Sequence, residues 1–293
     1  MKDFFKYLTA SQDDINWGMY LTVAGKAEIP MNQEVYPLPE HDHPTGYHFS
    51  WDKGRVLNEF QVHYITDGYG ILENSYGKFR IMPGTIMITY PGVWHRFRPL
   101  KRTGWIENYI GFKGDLAKRF FSNPWFNPEK PVMNCEIREE LIDSYYKIFH
   151  LVQEEKPFFQ FVSSGMIIKL IGYIVSFQMQ QAFHGKYIQT VIEEVRFLMR
   201  ENVEKNLDFQ KIAAENNVGY SYFRKMFKRF TGISPKQYLL QLKVLRAKEL
   251  LLSSDKTIKE ISFELGFQSI FYFSRIFKEK TGISPSDMRK SRF

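Results

Sequence analysis

One cysteine, Cys135, stands in 293 residues. A lone thiol forms no internal disulfide, so the fold carries no covalent staple, and such usage fits the reducing cytoplasm. Long apolar runs are missing as well. The most apolar stretch, Met166 to Phe177, contains Lys169 and is shorter than the roughly 20 residues needed to cross a bilayer. The start, Met1-Lys2-Asp3-Phe4-Phe5-Lys6, has charges where a signal peptide needs an apolar core. These absences predict a cytoplasmic chain with no membrane partner. Acidic charge is short in one region only. Residues 186–293 hold 21 Lys and Arg against 12 Asp and Glu, a formal +9, while residues 1–185 hold 19 against 20, a formal −1. The length predicts two domains, and the cationic excess belongs to the second, as a footprint for phosphate requires.

What is present is a repeat. Tyr222-Phe223-Arg224-Lys225-Met226-Phe227-Lys228-Arg229-Phe230-Thr231-Gly232-Ile233-Ser234-Pro235 returns fifty positions later as Tyr272-Phe273-Ser274-Arg275-Ile276-Phe277-Lys278-Glu279-Lys280-Thr281-Gly282-Ile283-Ser284-Pro285. One structural unit is used twice. In each copy two Phe four apart share a helical face, Thr-Gly ends the helix, and Ser-Pro begins the next. Upstream, Asp208 and Thr257 read as N-caps, the second in a capping box with Glu260, and Asn217 and Gly266 as left-handed helix ends. Each unit is then a helix-turn-helix. Between them Lys236 to Leu252 reads as a helix with Leu240, Val244, Ala247 and Leu251 as its buried stripe, ~25 Å long at ~1.5 Å per residue. That length suits two recognition helices in successive major grooves of double-stranded DNA, about 34 Å apart.

Residues from about 188 to 292 therefore resemble the double helix-turn-helix domain of the AraC/XylS transcription regulators. Gly266-Phe267 followed by Tyr272-Phe273-Ser274-Arg275-Ile276-Phe277-Lys278 carries the likeness, and Lys243 stands where that family commonly has Arg. The resemblance implies sequence-specific promoter binding, usually for activation, with RNA polymerase as a partner. With Gly219 as its cap, the first recognition helix is expected to turn Tyr220, Ser221, Arg224, Lys225 and Lys228 outward, and Tyr222, Phe223, Met226 and Phe227 inward. With Ser269 as cap, the second exposes Ile270, Phe271, Ser274 and Arg275. Arg224, Lys225 and Arg275 are the candidates for guanine edges. Phe271 either touches a thymine methyl or sits partly buried. Lys228 and Lys278 are expected on phosphates, which position without specifying. In the helix that opens this domain, Val191, Val195, Leu198 and Asn202 form the expected inward row.

Residues 18 to 115 read as short strands, at 61–65, 70–73, 78–81, 85–90 and 105–112. Asp67-Gly68, Tyr76-Gly77, Pro83-Gly84 and Pro91-Gly92 punctuate them. This predicts an antiparallel barrel or jelly roll. Pro83-Gly84 to His95 resembles part of a cupin signature and agrees with the cupin-like sensor of the sugar-responsive members of the same family. That likeness implies a small-molecule effector, a mono- or oligosaccharide, and ligand contacts at Lys53, Phe97, Glu107 and Tyr109, with Trp94, His95, Arg96, Arg98 and Trp105 as further candidates. Catalytic cupins hold a metal with His-x-His, a later Glu and a further His. The matching strand has His63 alone, and His41-x-His43 lies in a Pro- and acid-rich loop. No metal, cofactor or catalytic residue is expected. A metal-dependent cupin enzyme with a DNA-binding domain and an effector-independent DNA-binding protein are the competing readings.

The expected layout is an arm at 1–20, either mobile or a first strand, and a barrel at 21–132. A helical packing and dimerisation segment at 133–183, a linker at 184–187 and an all-α DNA-binding domain at 188–293 complete it. Asp115 to Phe121 is a short helix. Leu141, Tyr145, Ile148 and Val152 mark one stripe, and Met166, Leu170, Ile174 and Phe177 another. At least one stripe is expected on the barrel. The resemblance assigns the other to a homodimer contact.

Overall fold

The computed structural model describes residues 4–33, 50–181, 183 and 185–291. The chain divides into two compact units, Met1–Gln181 and Ala182–Phe293. Charges in Met1-Lys2-Asp3, the pair His41 and His43, and His184 lie outside the described residues.

The first unit opens with β1 (Phe4–Tyr7), α1 (Gln12–Trp17) and β2 (Tyr20–Ile29). β1 lies antiparallel on β2, from Phe4 opposite Lys26 to Tyr7 opposite Val23, so the first segment is an ordered strand. Phe4 meets Phe149 edge-on at 5.0 Å, and Ser11 with Asp14 caps α1 through a capping box. Next come β3 (Phe60–Gly68), β4 (Gly70–Asn74), β5 (Gly77–Ile81), β6 (Thr85–Thr89), β7 (His95–Pro99) and β8 (Trp105–Lys113). These are followed by α2 (Asp115–Phe121), β9 (Val132–Asn134), α3 (Glu139–Glu154) and α4 (Phe159–Gln181). A six-stranded sheet in the order β1-β2-β8-β3-β6-β9 faces a three-stranded sheet, β5-β4-β7. Ile29, Ile65, Met87 and Trp105 of the large sheet pack with Leu72, Ile81 and Phe97 of the small one, which places these residues inside the two-sheet barrel. Successive strand residues point to opposite faces. Phe60, Val62, Tyr64, Ile86, Ile88, Ile110 and Phe112 therefore lie outside, in one core with α3 and α4.

This second core corrects an expectation. Leu141, Tyr145, Ile148 and Val152 are buried in it, and so are Leu170, Ile174 and Phe177, with Met166 partly covered. Both helical stripes are spent on the barrel. Polar anchors fix the contact: the Tyr145 hydroxyl donates to Val62 O at 3.0 Å. The Gln160 side-chain amide exchanges bonds of 2.9 and 3.1 Å with the Leu21 backbone. By length and composition α4 could cross a membrane, with a mean hydropathy of 1.4 over 18 residues, yet it packs here around buried Gln160, Ser163 and Ser164.

β2, β7 and β9 were not among the expected strands. β2 is covered on both faces, so its burial lacks the alternation of a half-exposed strand, and Gly25 and Ala24 dilute the β-branched pattern. Gly25 is required where it stands. A Cβ there would meet the Tyr109 hydroxyl oxygen at 2.5 Å and Phe4 O at 2.8 Å.

The second unit is helical: α5 (Tyr187–Glu201), α6 (Phe209–Glu215), α7 (Tyr220–Thr231), α8 (Pro235–Ser253), α9 (Ile258–Glu264), α10 (Ile270–Thr281) and α11 (Pro285–Lys290). Its boundary precedes the expected linker, because Phe183 is buried in the core of this unit with its ring edge-on to Phe230 at 5.1 Å. The row on α5 is Ile188, Val191, Ile192, Val195 and Met199, whereas Leu198 is 36% exposed. The inward face runs one residue past the expected one at its end. One core joins α5, α6, α7 and Leu239 of α8; another joins Val244, Ala247, Leu250 and Leu251 of α8 to α9 and α10. Each core is one helix-turn-helix, and α8 enters both. On α8 Leu240 is only partly buried, while Leu239 and Lys243 are buried.

Candidate nucleic-acid interface and ligand site

The local rules that build the readers are visible atom by atom. Asp208 accepts from the backbone N–H of Gln210 and Lys211 and so caps α6; Thr257 and Glu260 form the capping box of α9. Asn217 and Gly266 make the turns, at φ +52° and +70°. No Cβ fits at Gly266, since it would lie 2.5 Å from Glu204 O. α7 and α10 then run for 12 residues each and stop at Gly232 and Gly282, both at φ +84°.

On α7, Phe223, Met226 and Phe227 are buried, and Ser221, Arg224, Lys225 and Lys228 are exposed. Two expected positions exchange. Tyr222 is 49% exposed, and Tyr220 is partly buried against the core. The reason is helical phase: 220, 223 and 227 lie in one row at spacings of three and four, and 222 falls beside it. On α10, Phe273, Ile276 and Phe277 are buried, Arg275 and Lys278 are exposed, and Ile270 and Ser274 are half-buried. Phe271 is 85% exposed, which removes the partly buried alternative. Arg275 stands over the Tyr272 ring at 5.5 Å. Among the described residues none of Arg224, Lys225, Lys228, Arg275 and Lys278 joins an ion pair. Free cations on two like helices are what a polyanion needs.

In the barrel, strand parity turns Gln61, His63 and Ile65 of β3 inward, with Trp105, Glu107 and Tyr109 of β8 and His95 and Phe97 of β7. The His63 Nδ1–H donates to Glu107 Oε1 at 2.6 Å, and both groups are buried. His63 Nε2 is buried with no hydrogen-bond partner among the described residues. Phe97 lies 5.1 Å from the His63 ring and 6.1 Å from Trp105; Tyr109 lies 6.0 Å from His63. His95 bonds Val93 O through Nδ1 at 3.1 Å and takes the Arg55 Nε–H on Nε2 at 3.2 Å. A carbonyl only accepts and a guanidinium only donates, so the ring is the neutral tautomer with its proton on Nδ1. Burial first, then the Arg55 charge, pulls its pKa down to about 3.

Glu107, Phe97, Trp105, His95 and His63 are thus brought together, and Tyr109 joins them half-buried. Lys53 is not among them. Its side chain is exposed, and its backbone is what is engaged: the carbonyl by the Trp94 indole N–H at 2.8 Å and the N–H by Ser50 Oγ at 3.3 Å. Trp94 is half-buried against Gly54, outside the inner cluster. The cation that enters is Arg55, two residues on. Its backbone pairs with His95 in both directions at 2.9 Å, which aims the guanidinium at His95, at Gln61 Oε1 and over the Phe97 ring. Sequence reasoning passed over it. No local signal marked it, since Arg55 owes its place to an antiparallel bridge with His95, forty residues on. Arg96 and Arg98 lie outside the cluster, stacked on Trp51 at 4.4 and 3.8 Å. Among the described residues no group of three or more His, Cys, Asp or Glu could hold a metal ion.

Two helix-turn-helix units sharing one helix, in a chain that also carries a barrel with polar groups inside, define a two-domain DNA-binding regulator. The helix-turn-helix domain family matches residues 212–291, and the AraC-like ligand binding domain family matches residues 34–166. The MmsAB operon regulatory protein of Pseudomonas aeruginosa is 22% identical over 267 residues, spanning 89% of this chain and 84% of its own length. The lactose operon transcription activator of Staphylococcus xylosus is 22% identical over 262 residues, spanning 84% and 87%. The arabinose operon regulatory protein of Escherichia coli is 23% identical over 256 residues, spanning 85% and 82%. The chain belongs to the AraC family of transcription regulators. Its relatives are named as regulators, and it is a DNA-binding regulator, not an enzyme.

Proposed function

We propose that the protein is a cytoplasmic, homodimeric transcription activator whose promoter contact is governed by a mono- or oligosaccharide held inside the barrel. The observation that carries the effector reading is His63 Nε2. A buried polar atom without a partner is costly, and a ligand hydroxyl would relieve it. Around it, Glu107 offers acceptors, Arg55 offers donors, and Phe97, Trp105 and Tyr109 offer ring faces for the C–H patches of a sugar. Two relatives are named for the lactose and arabinose operons, which favours a sugar over other small molecules.

The readers we infer to touch bases are Ser221, Arg224, Lys225, Phe271, Ser274 and Arg275, with Lys228 and Lys278 on phosphates. Tyr220 and Ile270 act as packing at the helix starts. Since both helical stripes serve the barrel, we place the dimer contact on the outer face of α4. Val162, Gly165, Ile168 and Gly172 are exposed there, and a Cβ added at either glycine meets nothing within 4 Å. RNA polymerase is the further partner that activation calls for. Ligand acts by favouring one of two states, through unequal affinity for them.

Thermal unfolding of the whole protein against a panel of sugars and divalent metals tests this. A sugar at a hundred times its Kd adds about 2.7 kcal/mol of stability. That gain should vanish in His63→Phe and Glu107→Gln. Silence across the sugars would leave a DNA-binding protein whose control lies outside the barrel, and a shift with metal alone would revive the enzyme.

A further inference from the structure

A cleft of about 490 Å³ opens inside the DNA-binding unit. Leu207 and Phe209 of the first helix-turn-helix, Leu239 and Leu240 of α8, and Phe267 and Tyr272 of the second form its walls. Such a volume lies in the ordinary range for small-molecule sites. At the cleft Lys243 is only 4% exposed. Its ammonium donates to Asn206 Oδ1 at 2.9 Å, and Asn206 in turn donates to Gly266 O at 3.1 Å. Lys243 joins no ion pair among the described residues, and no carboxylate lines the cleft. The Phe267 ring lies 5.7 Å from the ammonium. Burial pulls its pKa down, opposed by the Glu204 charge. An ammonium has three donors, and among the described residues Lys243 has one neutral acceptor and no carboxylate within ion-pair distance, the Glu204 charge acting only from farther off.

We propose that this cleft binds a small organic carboxylate with an apolar body. Its head sits on Lys243, and its hydrocarbon sits between the α8 leucines and Phe267. One buried cation calls for one negative charge, and carbon walls call for an apolar body. A DNA phosphate suits the position less, because a duplex is reached by exposed lysines and this one is covered. The walls come from both helix-turn-helix units, so the bound molecule fixes their setting on α8 and with it the half-site spacing they read. The ligand differs in charge from the barrel effector and acts on the reader directly. The proposal stands whether or not the barrel takes a sugar.

Calorimetry on the full-length protein with phenylpropionate, its neutral amide and inorganic phosphate decides the matter. The carboxylate should bind at one per chain, the amide at least about tenfold more weakly, as loss of one charge-assisted hydrogen bond implies. Lys243→Met should weaken the carboxylate by a similar factor, and Lys236→Glu at the exposed rim by about threefold through repulsion. Carboxylate and amide binding alike, or unchanged carboxylate affinity in Lys243→Met, would overturn the proposal. So would a silent carboxylate with a Lys243→Met salt slope on mixed-sequence duplex lowered by about one, which would assign Lys243 to a backbone phosphate. Should Lys243→Met fail to fold, Lys236→Glu decides: unchanged affinity there also overturns the proposal.

Discussion

The two helix-turn-helix units share a frame and differ in what they show to DNA. Phe223 and Phe227 are fully buried, with ring centroids 5.6 Å apart; Phe273 and Phe277 are buried likewise at 5.7 Å. The Thr231 hydroxyl, with one proton to donate, lies 2.8 Å from Phe227 O and 2.9 Å from Ile233 O, and Thr281 repeats both distances against Phe277 O and Ile283 O. Outside, the copies part. Where the first presents Ser221, Arg224 and Lys225, the second presents Phe271, Ser274 and Arg275. The core rings and the Thr-Gly stops are fixed by folding, so duplication keeps them. The outward positions are free to follow the base pairs each copy meets. On the proposed reading, the first unit offers acceptor edges two cations, and the second offers one cation and one exposed ring.

The largest effects should fall on the shared frame. Phe227→Ala and Phe277→Ala each remove a fully buried ring, and each should cost about 3–5 kcal/mol of stability. Thermal unfolding reads this directly, and a loss confined to one variant would break the equivalence of the two cores. Next comes the reading surface. Arg275→Ala should cost about 1–3 kcal/mol of specific affinity and relax preference at one base pair. Footprinting against a randomised site measures it, and uniform weakening on every sequence would make Arg275 a phosphate contact instead. Phe271→Ser copies the first reader into the second. If the ring meets a thymine methyl, the variant loses discrimination between thymine and uracil at one position, worth roughly 1 kcal/mol. No change between the two duplexes would leave the ring without a base contact. Lys228→Ala and Lys278→Ala occupy equivalent places, and each should lower the salt slope by about one.

Much of this unit was legible because its signals are local. Asp208, Thr257, Ser269, Gly232 and Gly282 act within three or four residues of themselves, and the repeat shows the Thr-Gly stop in context twice. Tyr222 was misplaced by one step of helical phase, an error that residue type alone invites. The barrel was less legible. Its five clearest strands stood out by turn residues, but β2, β7 and β9 are defined by partners far along the chain: β2 by β8, β7 by β4 and β9 by β6. Arg55 escaped notice for the same reason, since its role comes from pairing with His95, forty residues away. One of the two helical stripes looked available for a partner because sequence period reports that a face is buried, never what buries it.

The smallest effect sharpens the comparison most finely. α10 begins at Ser269, whose hydroxyl oxygen accepts the Phe271 N–H at 3.2 Å, whereas α7 begins at Gly219 with no side-chain cap. Ser269→Ala should therefore cost about 1 kcal/mol, the ordinary worth of such a cap. Gly219→Ser runs the other way. The backbone there, at φ −61° and ψ 131°, is open to any residue, and an added Cβ meets nothing within 4 Å, so the serine enters without strain. Its gain should be only a few tenths of a kcal/mol, because Gly is itself a tolerable cap. Denaturant midpoints resolve the pair. Should Gly219→Ser instead weaken DNA binding while stability rises, the bare cap exists to let the backbone N–H groups of α7 approach a phosphate, and the asymmetry between the readers is part of recognition.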